Sequence, residues 1–282
     1  MLVNGVNLHV VQAGPVDGPL VILLHGFPEF WYGWRRQIAA LAAAGFCVWV
    51  PDQRGYNRSD KPPGRDAYRL DLLAADVIGL IDAAGREQAH IVGHDWGAAV
   101  TWRVANRHPQ RVATASVLNV PHPFIMAKYL RHSLRQALRS TYIAFFQIPT
   151  FPEWLLAQDG WQPMVEALRS TAPAGLFSPA EMEAYRDAWS QPGSMTAMLN
   201  WYRAFVQRPP SWSPSPRVKP PLLMLWGTHD TALERDLAPL SMELCDHGRL
   251  HFLEGASHWV QHERPAEVNR LLLEHLSAQH QQ

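Results

Sequence analysis

A chain of 282 residues with 47% hydrophobic content has room for one large domain, or for one domain with an insertion, and buries a sizeable core. Its 25 lysines and arginines balance 25 aspartates and glutamates, which gives no reason to expect nucleic acid or an acidic membrane surface as a partner. Cys47 and Cys245 imply no disulfide framework, and neither a secretory signal nor an apolar run of membrane-spanning length is visible, so a soluble cytoplasmic protein is expected.

Leu2 to Leu8 carries Asn4-Gly5 between apolar positions, a hairpin signal because both turn residues need positive φ. Leu20 to Leu24 is a short unbroken apolar run and reads as a buried strand. It runs into His25-Gly26-Phe27-Pro28, where Gly26 permits a sharp turn, the X-Pro bond admits the cis form, and the Phe27 N–H is left free. This loop is either a plain strand-ending turn or a donor to an oxyanion hole. Trp34 to Ala44 has helical composition. Phe46 to Val50 reads as another buried strand, with Cys47 a core thiol, and the polar loop Pro51 to Asp60 reads as architectural. Leu70, Leu72, Leu73, Val77, Leu80 and Ile81 mark an amphipathic helix.

The next strand, Ala89 to Val92, leads into Gly93-His94-Asp95-Trp96-Gly97, and a helical pattern from Ala98 to Ala105 leads out. A strand turning sharply into a helix brings backbone against backbone, which the two glycines allow. In the serine form of this turn, G-x-S-x-G, the middle residue is an exposed nucleophile. Here it is Asp95. A carboxylate, ionised at neutral pH, displaces a leaving group from saturated carbon and leaves an alkyl ester, so the elbow points to an epoxide or alkyl halide rather than an ester substrate. The plainer alternative is an aspartate capping the following helix.

Val112 to Val120 reads as a further strand, and strands alternating with helices imply a parallel sheet flanked by helices. From Pro121 to Ser213 the alternation stops. Ile125 to Phe146, Met164 to Ser170, Pro179 to Ser190 and Met195 to Phe205 have helical composition, and the proline-rich Pro209 to Pro216 reads as a stiff connector. Strands resume at Leu222 to Trp226 and Leu250 to Leu253, with a closing helix from Pro265 to Leu276. The expected organisation is an α/β core, residues 1–121 and 214–282, with a helical cap, residues 122–213, inserted between two strands of a mostly parallel sheet. Cap residues Phe145, Phe146, Trp154, Leu155, Trp161 and Trp201 line an apolar pocket or form the cap's own core.

Asp230 follows the first resumed strand and His258 the second. Nucleophile, acid, histidine is the chain order of an α/β-hydrolase triad, in which the histidine activates water and the acid orients it. Among 14 histidines only His258 lies in the expected loop. The other place for the acid, after the strand ending near Leu118, holds the uncharged Asn119.

With these motifs in order, the sequence resembles the epoxide hydrolases of the α/β-hydrolase superfamily over nearly its whole length. Asn119-Val120-Pro121-His122-Pro123 is also typical of that family. Tyr142 to Pro149 and Asn200-Trp201-Tyr202-Arg203 resemble the segments that carry its lid tyrosines, so the resemblance implies Tyr142 and Tyr202 as donors to the epoxide oxygen. Asn57 departs from the family, where glycine is common. The implied activity is conversion of an epoxide to a vicinal diol through an ester of Asp95. Water activated by His258 and Asp230 resolves the ester, with the backbone N–H groups of Phe27 and Trp96 as the oxyanion hole. The expected partners are an epoxide and water, with no metal or organic cofactor; the oligomeric state, a homodimer included, is open. Two other readings remain. A haloalkane dehalogenase shares the aspartate elbow and an indole at Trp96, but usually has a second side-chain N–H donor where this chain has Phe27. A non-catalytic binding protein would bind its ligand equally well after Asp95→Ala.

Overall fold

The computed structural model describes residues 1–212 and 214–278; Ser213 of the proline-rich stretch and residues 279–282 of the expected core lie outside them. The chain opens with a hairpin, β1 (Leu2–Val3) and β2 (Val6–Asn7), paired antiparallel around Asn4 at φ 47° and Gly5 at φ 75°. The main sheet has seven strands: β3 (Val10–Ala13), β4 (Leu20–Leu24), β5 (Cys47–Pro51), β6 (Ala89–His94), β7 (Val112–Leu118), β8 (Leu222–Gly227) and β9 (Gly248–Leu253). Their spatial order is β3-β5-β4-β6-β7-β8-β9. All neighbours run parallel except β3, which is antiparallel to β5 at one edge. The sequence pattern gives no sign of β3, whose four residues are only partly covered, as an edge strand's are.

The core helices are α1 (Arg35–Ala43), α2 (Leu70–Ala83) and α3 (Trp96–Arg107). Alternate strand residues feed two cores because successive side chains leave a strand on opposite faces. Val21, Leu23, Val48 and Val92 belong to the core that takes in Leu41 of α1. Ile22, Leu24, Ile91 and Val117 meet Leu73 and Val77 of α2 and Trp102 of α3.

Between β7 and β8, among the described residues, the chain forms only helices. These are α4 (Pro123–Tyr129), α5 (Leu134–Arg139), α6 (Thr141–Phe145), α7 (Phe151–Leu156), α8 (Gln158–Ser170), α9 (Pro179–Trp189) and α10 (Ser194–Gln207). The stretch expected as one helix, Ile125 to Phe146, is three. Ser133 restarts the backbone as α5 by accepting the Gln136 N–H at 3.1 Å, and Ser140 separates α5 from α6. The first turn of α8 is broken by positive φ at Asp159, Gly160 and Trp161. After β8 come α11 (Leu237–Met242), α12 (Val260–Glu263) and α13 (Pro265–Ser277), whose Leu272 and Leu276 complete the first core.

Both crossings between sheet and inserted helices converge at one point. His122, on the way out, lies between Trp102 of α3, with ring centroids 5.0 Å apart, and Trp212, on the way back, at 4.4 Å. Farther along, the Trp189 indole donates to the Pro28 carbonyl at 2.7 Å and the Trp201 indole to the Arg54 carbonyl at 3.0 Å. These bonds seat α9 and α10 directly on the loops after β4 and β5, over the carboxyl ends of the strands.

Candidate active site

The elbow after β6 has no room for side chains on its glycines. A Cβ on Gly93 would run into the Gly97 carbonyl, and one on Gly97 into the backbone of Leu24 and His25. The close approach forces Asp95 to φ 50°, ψ −122°, a conformation that costs a non-glycine residue about 1–3 kcal/mol and is held by the packing around it. The same turn leaves Trp96 as the first residue of α3, its N–H among the free donors of a helix start.

The loop after β4 reaches across to this carboxylate. The Phe27 N–H donates to Asp95 Oδ1 at 2.7 Å, and a Cβ on Gly26 would occupy the place of the carboxylate itself. The Phe27–Pro28 peptide is cis. Asp95 Oδ2 faces the His258 Nε2 at 3.7 Å, and the His258 Nδ1–H donates to Asp230 Oδ2 at 2.8 Å. The structure thus brings the aspartate, histidine and acid named from chain order into one row.

Asp230 is fixed from all sides. Its Oδ1 accepts the N–H groups of Ala232 at 2.7 Å and Leu233 at 2.9 Å, and its Oδ2 accepts the Asn119 amide at 2.8 Å. Asn119 in turn accepts the Gly227 N–H at 3.1 Å. The sequence marks Asn119 as a vacant acid position and the start of a family-typical stretch; in the fold it is the clamp that holds the acid. Glu29 escaped notice altogether. It is buried under the site, accepting from the Tyr185 hydroxyl at 2.6 Å, His262 at 2.7 Å and the Gln261 amide at 3.1 Å. Its Oε2 lies 3.5 Å from His94, which donates to the His258 carbonyl at 2.9 Å. Only folding joins these groups, so no local pattern could reveal them.

The electrostatics follow from crowding opposite charges out of water. Burial drives the carboxyls of Asp95 and Asp230 upward, but the charge and hydrogen bonds of His258 outweigh it and hold both below the ordinary carboxylate range. Burial drives His258 down, yet the pull of Asp230 and Asp95 prevails and pushes it up to about 10. The resting triad is an imidazolium between two carboxylates.

Opposite Asp95 stand Tyr142 of α6 and Tyr202 of α10, their rings 5.9 Å apart. Tyr202 is 5% exposed, packed edge-on against Trp96 at 5.0 Å, Phe146 at 5.0 Å and Phe27 at 5.5 Å. Tyr142 is 40% exposed, where the cavity opens to solvent. Burial, followed by the nearby negative charge of Asp95 and Asp230, raises the Tyr142 phenol; burial together with Tyr142 and Asp95 raises Tyr202 well above its usual value. Both keep their protons at neutral pH and are able to donate them.

Asp95, Trp96, Tyr142 and Tyr202 share a cavity of about 110 Å³ whose remaining wall is apolar: Ala99, Val120, Pro121, Pro123, Met126, Ile143, Phe205 and Leu233. None of the six cap residues named for a pocket lines it. Phe146 and Trp201 are buried in the cap's packing, and Trp154 and Leu155 face solvent. The lining comes instead from the start of α3, the chain leaving β7, α4, α6, one face of α10 and the loop after β8. The loop after β5 is architectural: Asp52 accepts from the Trp31 N–H at 3.0 Å and the Asn57 amide at 2.8 Å. Asn57 sits at φ 40°, which asparagine tolerates better than most residues, so the turn keeps its shape without the glycine expected there.

Comparison with known proteins fits this geometry. A family model described as the alpha/beta hydrolase fold matches residues 19–265. The chain is 46% identical to the AB hydrolase superfamily protein YfhM of Bacillus subtilis, over 98% of this chain and 96% of that protein. It is 37% identical to epoxide hydrolase A of Mycobacterium tuberculosis, over 97% and 95%. The crystal structure of Bacillus megaterium epoxide hydrolase in complex with an inhibitor superposes with a TM-score of 0.89 at 32% identity, covering 98% of this chain and 99% of that one.

Proposed function

The chain belongs to the epoxide hydrolases of the α/β-hydrolase superfamily, and from that premise we propose that it converts an apolar epoxide to a vicinal diol through a covalent ester on Asp95. The observation that carries this reading is the facing of one carboxylate by two protonated phenols across an apolar cavity.

Asp95 Oδ1 stays on the Phe27 N–H, so Oδ2 is the attacking oxygen. It forms a bond to an epoxide carbon while that carbon's bond to the ring oxygen breaks. The charge developing on the ring oxygen is met by Tyr142 and Tyr202, one of which gives up its proton. Ester formation removes the negative charge of Asp95, one of the two charges that hold the proton on His258. The imidazole then loses that proton more readily, the phenolate takes up a proton in its place, and His258 becomes a base. Water delivers a proton to His258 and attacks the ester carbonyl carbon. The oxyanion forms at Oδ1, facing the N–H groups of Phe27 and Trp96, and collapse expels the diol and restores the carboxylate.

Residues 122–213 act in this scheme as a cap over the core of 1–121 and 214–282, supplying both phenols. A cytoplasmic location fits the two free cysteines. Halide release is the poorer fit: the Phe27 side chain offers no N–H, and its ring packs on Tyr202. A panel of styrene-type, alkyl and fatty-acid epoxides assayed for diol tests the reading. Diol is expected from at least the uncharged members and none from Asp95→Ala. Halide release from haloalkanes with no diol from any epoxide would reject it.

A further inference from the structure

The overall charge balance hides a local segregation. Residues 121–152 contain Lys128, Arg131, Arg135 and Arg139 and no aspartate or glutamate. On α4, Phe124 and Lys128 are four residues apart and both exposed; on α5, Leu134 and Leu138 have the same spacing and are 75% and 62% exposed. On α7, Phe151, Trp154 and Leu155 all face solvent, with the first two rings stacked at 5.8 Å. α5 buries Gln136 and shows its leucines, the reverse of an ordinary surface helix, while α4 buries Pro123 and Ile125, α7 buries Pro152 and Leu156, and each still turns large apolar side chains outward.

We infer that this face of the inserted helices docks on an anionic lipid surface. Exposed aromatic and leucine side chains interspersed with cations are the composition that settles at a headgroup boundary. The acids that approach come from the loop after β8. Glu234 lies 3.5 Å from Arg135 and accepts from Ser133, and Asp236 faces Tyr129 beside it. Arg139 donates to the Asp230 carbonyl. Lys128 and Arg131 have no ion-pair partner among the described residues and supply the attraction. Glu153 on α7 is turned inward onto Arg203, so it does not oppose it. A second copy meeting this face with its own would set cation against cation, which disfavours self-association here. The contact does not depend on the reaction proposed above; on that reading it sets the cavity, which opens beside Tyr142, against the phase in which apolar epoxides collect.

The test is co-sedimentation of the full chain with vesicles of phosphatidylcholine containing about one third phosphatidylglycerol, and with phosphatidylcholine alone. Binding is expected to the first and not the second, with release at about 0.5 M salt. Lys128→Glu with Arg131→Glu should lower the bound fraction about tenfold or more, and Leu134→Ser with Leu138→Ser should also weaken it. A blue shift of emission on adding anionic vesicles, absent in Trp154→Phe, reads the contact in an otherwise native chain. No binding to the anionic vesicles, equal binding by the charge-reversed variant, or a dimer that Leu134→Ser with Leu138→Ser dissolves would overturn the inference. Diol formation measured without vesicles reports on the reaction separately and is expected to survive in Lys128→Glu with Arg131→Glu.

Discussion

Asp95 and His258 hold each other in states that neither would keep alone. The imidazolium keeps the carboxylate ionised in a largely apolar cavity, and the two carboxylates keep the imidazole protonated up to about pH 10. Because the folded value of His258 lies above that of a free imidazole, its ion pairs stabilise the fold fully below about pH 6.5, and the stabilisation disappears as pH rises through about 10. The melting temperature should therefore fall between about pH 7 and 10.5 more steeply for the native chain than for His258→Gln, where that proton is missing; parallel curves would contradict the pairing. On the other side of the cavity, Tyr202→Phe should slow ester formation about 10–100-fold with little change in KM, since the donor matters only once charge develops on the ring oxygen. Stopped-flow quenching of tryptophan emission checks this, and an unchanged rate would leave Tyr202 a packing residue. Chain order brought Asp95, Asp230 and His258 into view from the sequence, and the family resemblance added the tyrosines. Asn119 and Glu29 were out of reach because their partners lie 111 and 233 residues away, and nothing local marks a buried amide or acid as a clamp.

Among the elements, the elbow is the most legible because it is the most constrained. Two glycines four residues apart have one physical reason here, the contact of Gly93 with Gly97 and of Gly97 with the strand next door. Gly97→Ala should leave little soluble folded protein, or lower the melting temperature by more than 10 °C, because the obstruction is backbone and cannot move aside. A wild-type melting curve for that variant would show that the turn is looser than the structure has it. Buried strands such as Leu20–Leu24 were legible as unbroken apolar runs. The edge strand β3 was not, since Val10–Ala13 is short and half covered, and its pairing is set by β5 rather than by its own pattern. The inserted helices were visible as helical composition but not as boundaries. A helix of five to seven residues is defined by its caps and its neighbours more than by periodicity.

For the whole molecule, the sheet sets one carboxylate at its rim and the inserted helices bring two phenols to meet it, so each half supplies what the other lacks. If the reaction runs in two steps, stopping the second should trap the first. His258→Gln should react once, gaining the mass of one epoxide per chain and releasing no diol, as intact-mass spectrometry would read. The most direct measurement is a single turnover in ¹⁸O water with enzyme in excess over epoxide. The covalent route gives first-turnover diol without label and places ¹⁸O in the Asp95 carboxylate, recoverable in its peptide. Label in the first-turnover diol, with none on Asp95, would mean that water attacks the epoxide directly and that the ester is never formed.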